Sequence, residues 1–263
     1  MSSVYPAPAI LVGVDGSRAA ICAAVWAVAE AVGRDIPLRL VYVIDPRDGS
    51  GAQAGDARIA NARAALADAR RAAEAAGETV KIETEILWGR TVSKILEASR
   101  SAVMICVGRI GLNHACRGGP AVAASLVRLA ACPVAVIQQA TARPAKVGDV
   151  VAQVDNGTVL RHAFDEARLR RTTLRALLVA PDAAACETNP GRPSALGQLD
   201  RRLARWMRLY PDVHAAPTVV TGGVQRYLRD QHDAGQLLVT DAYRAEALCR
   251  AGHSVLAIRC GNL

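Results

Sequence analysis

The stretch that decides the fold reads Ala9-Ile10-Leu11-Val12-Gly13-Val14-Asp15-Gly16-Ser17. Its apolar part, 9–14, has the length of a buried strand, and the Asp-Gly-Ser that follows interrupts the run. From residue 21 onward apolar side chains recur every three or four positions, which is typical of a helix, and Gly33 marks its end. The stretch therefore predicts a buried strand that leads directly into a helix, with Asp15 or Ser17 as the helix cap.

The same alternation of strand and helix continues to residue 138. Four more strands are predicted, at 38–44, 80–87, 103–107 and 133–137. Between them we expect a Gly- and Asp-rich loop at 47–56 and helices at 57–76, 91–100 and 121–130. Strands that alternate with helices form a parallel sheet covered on both faces, and right-handed crossovers make it doubly wound. The sequence thus predicts an α/β domain with five parallel strands.

A shorter copy of this pattern follows a predicted linker at 138–148. Residues 150–158 repeat the strand and the Asp-containing break of 12–17, 174–179 repeat the second strand, and 254–258 repeat the last strand. The order of the segments is kept while the spacing between them shrinks, which favours a duplicated domain. We therefore predict two tandem doubly wound domains, a more complete one at 1–140 and a degenerate, shortened one at 141–263.

Length and composition agree with two small cytoplasmic domains. The chain has 263 residues, of which 51% are apolar and only 3% aromatic, so the cores must be aliphatic, as buried parallel strands require. No apolar stretch is long enough for a membrane span, and Tyr5-Pro6-Ala7-Pro8 does not resemble a secretion signal. The seven cysteines contain no Cys-x-x-Cys pair, so we expect small buried thiols in a reducing compartment and no metal site.

The chain is basic, with a net charge of +8. Its densest positive runs are at 168–175 and at Arg201, Arg202, Arg205 and Arg208. The second run has helical spacing and no nucleic-acid motif accompanies it, so we predict a solvated helix face and disfavour nucleic acid as a partner. We also predict a packed helix face formed by Trp206, Met207 and Tyr210. His162 is predicted to be solvated.

Four motifs in the first half, in this order and spacing, resemble the universal stress protein family. They are Val-Gly-Val-Asp-Gly-Ser at 12–17, Val-Tyr-Val-Ile-Asp at 41–45, Val-Gly-Arg-Ile-Gly at 107–111 and Cys-Pro-Val-Ala-Val-Ile at 132–137. The whole chain is similar to the tandem-domain type of actinobacteria. The resemblance implies an adenine nucleotide alpha hydrolase-like fold and a regulatory, non-catalytic role in adaptation to stress, hypoxia or dormancy.

The resemblance also implies an ATP site with Mg²⁺ in the first domain. It places Val14 and Asp15 at the nucleoside and the backbone of Val43 at the adenine. Val107 and Gly108 then face the ribose, and Gly111 faces the phosphates. This agrees with the general position of ligands in doubly wound sheets, outside the carboxyl ends of strands where the strand order reverses. Two local alternatives remain open, a plain turn at Gly108 and Gly111 and a helix-capping role for Asp15.

The sequence departs from the family's ATP pattern at one pair of residues. Pro120 and Ala121 stand where glycine followed by serine or threonine is expected, and Pro120 has no N–H donor. Losing one or two charged hydrogen bonds of about 1.5–3 kcal/mol each would weaken binding roughly ten- to a thousandfold. The second domain reads Thr240-Asp241-Ala242-Tyr243 at the corresponding loop, without a glycine pair, so we predict no nucleotide there.

Two classes of function therefore stay open. One is a nucleotide-binding regulatory module that acts on a protein partner, and the other is an interaction scaffold that has lost the nucleotide. An adenylating enzyme is disfavoured, since no second catalytic constellation accompanies the loop. We expect the second domain to be a pseudo-symmetric partner of the first, with strands 133–137 and 254–258 meeting as in the family's dimers, and a homodimer of the whole chain stays open.

Overall fold

Two units divide the chain, Met1–Gln139 and Ala140–Leu263, and each contains a five-stranded parallel sheet. The computed structural model describes residues 7–47, 53–77, 79–109, 122–138, 148–154, 156–179, 195–221, 223–231, 235–245 and 253–260. The predicted fold class, tandem doubly wound α/β, is confirmed. Most of the predicted linker at 138–148 lies outside the described residues.

In the first unit the strands lie in the order β3-β2-β1-β4-β5, and all are parallel. The strands are β1 (Ala9–Val14), β2 (Leu38–Ile44), β3 (Ile82–Trp88), β4 (Ala102–Gly108) and β5 (Val134–Ile137). The helices are α1 (Arg18–Gly33), α2 (Gln53–Glu74), α3 (Thr91–Ala98) and α4 (Val122–Leu129), with a 3-10 turn at Ser99–Ser101. The chain moves from β1 to one side for β2 and β3, then to the other side for β4 and β5. The order therefore reverses between β1 and β4.

The opening stretch folds as its sequence predicts. Strand β1 is an unbroken apolar run because both of its faces are covered, and Ile10, Leu11 and Val12 are at most 1% exposed. Helix α1 is capped by Ser17, whose hydroxyl accepts a hydrogen bond from the backbone N–H of Ala20 at 3.1 Å. Asp15 has a different role, since its carboxylate accepts the backbone N–H of Ser17 at 3.0 Å and so shapes the turn before the helix.

The predicted loop at 47–56 is wrong in its second half, because helix α2 begins at Gln53. The loop was predicted from its glycine and aspartate content. Asp56 instead lies in the first helical turn, where a carboxylate interacts favourably with the helix dipole. Gly55 lies in the same turn with no other atom within 4 Å of the place where a Cβ would be. A glycine at this end of a helix weakens it without stopping it.

In the second unit the strands follow the same pattern, in the order β8-β7-β6-β9-β10. They are β6 (Val150–Gln153), β7 (Leu174–Val179), β8 (Ala215–Val220), β9 (Leu237–Asp241) and β10 (Ser254–Ile258). The helices are α5 (Gly157–Arg170), α6 (Ala195–Leu209) and α7 (Val224–Gln231). The repeats read from the sequence at 174–179 and 254–258 coincide with β7 and β10. Within the described residues no helix is long and apolar enough to cross a bilayer.

A buried ion pair recurs in both units near the end of the first helix. In α1, Glu30 is fully buried and pairs with Arg34, whose side chain is 25% exposed. In α5, Glu166 is fully buried and lies 3.1 Å from the guanidinium of Arg170, which is only 8% exposed. Both pairs join residues four apart, so a helix brings them together without further constraint. The sequence analysis did not predict this repeated ion pair.

Three aromatic rings form a cluster under α6. Phe164 of α5 is fully buried and stacks on Trp206 with ring centroids 6.0 Å apart, and its centroid lies 5.1 Å from that of Tyr210. The predicted packing of Trp206 and Tyr210 is confirmed, whereas Met207 is 44% exposed and the prediction for it was wrong. Met207 points elsewhere because it is one position beyond Trp206, about 100° further around the helix.

Two other local predictions need correction. His162 is half-buried rather than solvated, since it lies on the flank of α5 beside buried positions. Among the described cysteines, Cys106 of β4 is buried, while the rest are only half-buried: Cys22, Cys132 and Cys260. These three lie on a helix or beside strand ends rather than inside the sheet. Burial still raises the pKa of the Cys132 thiol, so it is kept protonated.

Alkaline pH is expected to weaken the packing of Tyr210. Burial, and then the hydrogen bond that its hydroxyl donates to Asp165 at 2.8 Å, raise the pKa of Tyr210 to about 12. Because this value lies above the ordinary value of about 10, the folded protein holds the proton more tightly than the unfolded chain between about pH 10 and pH 12. The contribution to stability is complete below pH 10 and is lost as the pH rises through 12. Absorbance titration of tyrosinate should show this late ionisation in the wild type but not in Tyr210→Phe, and identical curves would contradict the prediction.

Candidate functional site

The carboxyl edge of the first unit brings most of the predicted site together. In the sheet Gly13 pairs with Val107, Val14 with Tyr42, and Gly108 with Ile137, so the ends of β1, β2 and β4 lie side by side. This edge includes the point between β1 and β4 where the strand order reverses, which is the usual ligand position in such sheets. The predicted residues at this edge are Val14, Asp15, Val43, Val107 and Gly108. Gly111, Pro120 and Ala121 lie outside the described residues.

Buried apolar side chains limit what these residues can offer a ligand. Val14 is 4% exposed and Val107 is 5% exposed, so only their backbone groups could face a bound molecule. Asp15 is half-buried, and one of its carboxylate oxygens accepts the Ser17 N–H. A carboxylate accepts hydrogen bonds at about four positions, and it is the type of acceptor that hydroxyl groups such as those of a ribose require.

Gly108 has a structural role that sequence reasoning missed. A Cβ at this position would lie 2.5 Å from the carbonyl carbon of Ala19, 2.7 Å from its Cβ and 2.8 Å from its oxygen. The end of β4 therefore packs directly against the first turn of α1, and only glycine leaves room for it.

The backbone beyond Gly108 is partly committed to the sheet. The N–H of Arg109 donates to the carbonyl oxygen of Ile137 at 2.9 Å, so it continues the pairing with β5 instead of facing a phosphate. Within this loop, any phosphate-binding N–H groups must therefore come from residues after Arg109. Asp15 and Val43, the residues expected to contact the nucleoside, both lie at this carboxyl edge. The residues assigned to the phosphates, Gly111 onward, lie outside the described part.

Asp45, which follows β2, is not open for a metal ion. It is 4% exposed, and its carboxylate accepts hydrogen bonds from the backbone N–H of Arg47 at 3.0 Å and from Nε of Arg47 at 2.9 Å. This neighbouring guanidinium offsets its charge. Across the described ranges no group of three or more histidine, cysteine or acidic side chains is arranged to hold a metal.

The corresponding edge of the second unit is bridged by its own side chains. Strand register places Asp241 at the level of Gly108, since Asp241 pairs with Ile258 just as Gly108 pairs with Ile137. Arg244 follows three positions later, where the first unit has Gly111. The carboxylate of Asp241 accepts the backbone N–H groups of Tyr243 at 3.0 Å and Arg244 at 3.1 Å. These two N–H groups therefore point toward Asp241 and not toward a bound anion.

Arg244 closes the bridge on the other side. Its Nη1 donates to the side-chain oxygen of Gln153, at the end of β6, at 2.7 Å, and its Nε lies 3.4 Å from the carboxylate of Asp241. Gln153 and Asp241 are on neighbouring parts of the sheet, at the point where this unit reverses its strand order. Sequence reasoning identified the missing glycines but not the contacts that Asp241 and Arg244 make in their place. Asp155, the counterpart of Asp15, lies outside the described residues.

Comparisons with known proteins agree on one family. Residues 8–138 match the universal stress protein family. Over its whole length the chain is 51% identical to universal stress protein Rv3134c of Mycobacterium tuberculosis strain H37Rv, with full coverage of both chains. It is 39% identical to universal stress protein Rv2624c of the same strain, over 94% of this chain and 91% of that one. A universal stress protein structure from Archaeoglobus fulgidus superimposes with a TM-score of 0.71, at 14% identity and 97% coverage of each chain, which shows a shared fold.

Proposed function

Because the chain belongs to the universal stress protein family, we propose that it is a cytoplasmic regulatory protein without catalytic activity. In this proposal the first unit binds an adenine nucleotide, and the chain acts on a protein partner during adaptation to stress such as hypoxia or dormancy. One observation carries it: the carboxyl ends of β1, β2 and β4 bring Asp15, Val43 and Gly108 to the edge where the strand order reverses. That is the position at which doubly wound sheets bind ligands.

The residues of the first unit would divide the binding between them. The carboxylate of Asp15 accepts hydrogen bonds from the ribose hydroxyls, while the main chain of Val43 pairs with the polar edge of the adenine. Gly108 presents backbone without a side chain, and Gly111 presents backbone N–H groups to the phosphates. ATP would supply negative charge, which Mg²⁺ offsets. Nothing in this arrangement activates a water molecule or forms a covalent bond, so the proposed role is binding alone.

The second unit is proposed to bind no nucleotide. Asp241 places a carboxylate where phosphates would approach, and it accepts the N–H groups of Tyr243 and Arg244 that could otherwise bind an anion. The side chain of Arg244 spans to Gln153 across the same edge. The unit would then serve as the pseudo-symmetric partner of the first, as the family's paired domains suggest. The expected stoichiometry is one nucleotide per chain.

Titration calorimetry with Mg-ATP and with ADP tests this proposal. We expect one site per chain and a loss of at least about tenfold in affinity for Gly111→Asp, because a carboxylate at the phosphates repels them and costs more than about 1.4 kcal/mol. The matched control is Arg244→Asp, which places the same carboxylate at the corresponding position of the second unit and should leave affinity unchanged. If Arg244→Asp removed the heat signal and Gly111→Asp did not, the nucleotide would bind in the second unit and the proposal would be wrong.

The alternative is a scaffold that has lost the nucleotide. The replacement at Pro120 and Ala121 and the commitment of the Arg109 N–H to β5 favour it. In that case ATP and ADP would give no heat and no rise in melting temperature, and no adenine would be extracted from the purified protein. Those three results together would overturn nucleotide binding and leave the protein partner as the only ligand.

A further inference from the structure

Helix α6 carries a row of arginines on its outer face, here called the arginine stripe: Arg201, Arg202, Arg205 and Arg208. All four side chains are exposed, while Leu199 and Leu203 on the opposite side are fully buried. At about 100° per residue, Arg201, Arg205 and Arg208 lie within about 60° of one another around the helix. Packing of Trp206 on Phe164 fixes the rotation of the helix, so the stripe points away from the core.

The stripe has no acidic partners within the part of the chain that the structure describes. None of the four guanidinium groups forms an ion pair or hydrogen bond there. Asp200, on α6 itself, is exposed and pairs with none of them, and two acidic residues that contact the end of α6 or follow it are engaged elsewhere. Asp165 accepts the hydroxyl of Tyr210 at 2.8 Å, and Asp212 pairs with Arg168 at 2.9 Å. Among the described residues, the four arginines of α6 are therefore held in no ion pair.

This arrangement weakens the helix that carries it. Arg201 and Arg205 are four positions apart, and Arg205 is three positions from both Arg202 and Arg208, so like charges face one another. Helix α2 has the equivalent place in the first unit, between its second and third strands, and two of its arginines are paired within the helix. There Arg70 pairs with Glu74 at 2.7 Å, and Arg71 pairs with Asp68. The stripe thus serves something other than the stability of α6.

An apolar side chain lies within the charged face. Leu209 is 59% exposed, and around the helix axis it projects between the directions of Arg205 and Arg202. Arginine combined with apolar side chains is typical of protein–protein interfaces. A phosphate backbone, by contrast, is bound by charge and polar donors and gains nothing from an exposed leucine. The composition of the face therefore favours a protein over a nucleic acid.

We propose that the arginine stripe and Leu209 dock an acidic segment of a protein partner. The segment carries carboxylates at helical spacing that pair with Arg201, Arg205 and Arg208, and an apolar side chain that covers Leu209. The stripe is about 10 Å long, which two turns of an opposing helix can match. This partner class rests on the regulatory role proposed above, but it does not require that a nucleotide binds.

Fluorescence anisotropy with a labelled 14-residue peptide tests the surface. The peptide carries glutamates at positions i, i+4 and i+7 and one leucine, and a scrambled peptide of equal composition is compared with it. The triple variant Arg201→Glu, Arg205→Glu, Arg208→Glu should lose at least about tenfold in affinity, from three weak ion pairs. The matched control Arg63→Glu, Arg100→Glu, Arg128→Glu changes three exposed arginines of the first unit by the same charge and should lose less than twofold.

Two further variants separate the effect on peptide binding from effects on folding and on nucleotide binding. Arg205→Gln, which removes the most crowded charge, should lose peptide affinity while its melting temperature stays equal or rises. Gly111→Asp should keep full peptide affinity, so that failure of the nucleotide site leaves this result intact.

Three outcomes overturn the proposal. Equal losses in the two triple variants would mean that net charge alone attracts the peptide. Equal binding of the scrambled peptide would mean that binding does not depend on the helical spacing of the glutamates. Tighter binding of a single-stranded oligonucleotide of the same charge, lost in the stripe variant, would assign the surface to nucleic acid.

Discussion

Replacement of Gly108 by alanine is expected to lower the free energy of unfolding of the first unit by about 3 kcal/mol or more. The added Cβ would lie 2.5 Å from the backbone carbonyl carbon of Ala19. Neither the strand end nor the first turn of α1 can withdraw without breaking the pairing of β4 or the Ser17 cap. Urea denaturation followed by circular dichroism measures the change.

Two controls decide whether packing is the cause. Gly55→Ala adds the same methyl group in α2 where no atom lies within 4 Å, and it should raise stability by about 0.5–1 kcal/mol. The double variant Gly108→Ala, Ala19→Gly should recover little, since two of the three closest atoms of Ala19 belong to its backbone. If Gly108→Ala melted like the wild type but failed to bind nucleotide, Gly108 would face the ligand and the packing argument would be wrong.

Removing one member of the buried ion pair in α5 should have the second large effect. Glu166→Ala leaves the charge of Arg170, which is 8% exposed, without the carboxylate 3.1 Å away. Breaking such a pair costs about 3–5 kcal/mol, because the remaining charge stays buried without its carboxylate. The double variant Glu166→Met, Arg170→Leu should recover most of this loss, since both charges are then absent.

The first unit supplies an internal comparison. Arg34, the partner of Glu30, is 25% exposed, so water can solvate it after the carboxylate is gone. Glu30→Ala should therefore cost clearly less than Glu166→Ala in the same denaturation experiment. Equal costs would show that exposure of the arginine does not govern the penalty.

Much of the fold was predictable because parallel strands buried on both faces have unbroken apolar sequences. The predicted bounds of β1, β2, β7 and β10 agree with the structure to the residue. Edge strands and short helices were harder to predict from the sequence. Strand β8 and helix α7 were not predicted, since β8 contains a proline and alternates between buried and exposed positions. The start of α2 was also missed, because glycine and aspartate signal a loop locally but are tolerated in a first helical turn.

The candidate site was predictable in position but not in detail. The order of the strands and the residues at their carboxyl ends placed Asp15, Val43 and Gly108 at one edge. The sequence could not show that Gly108 is also required by Ala19, because that contact joins residues far apart in the chain. Nor could it show the Asp241–Arg244–Gln153 bridge, which depends on which side chains the second sheet brings together.

Strands β3 and β8, each at one outer end of its unit's sheet, have a consequence for association at high concentration. An outer strand offers free backbone groups to any other strand and can seed aggregation. In β3, Glu83 and Glu85 put charge along the strand, and in β8 the exposed Pro217 removes an N–H donor. Each device makes further strand addition unfavourable by a different route, charge repulsion in one unit and a missing hydrogen-bond donor in the other. A chain built from two such sheets can thus accumulate in a crowded cell without growing into fibrils from these strands.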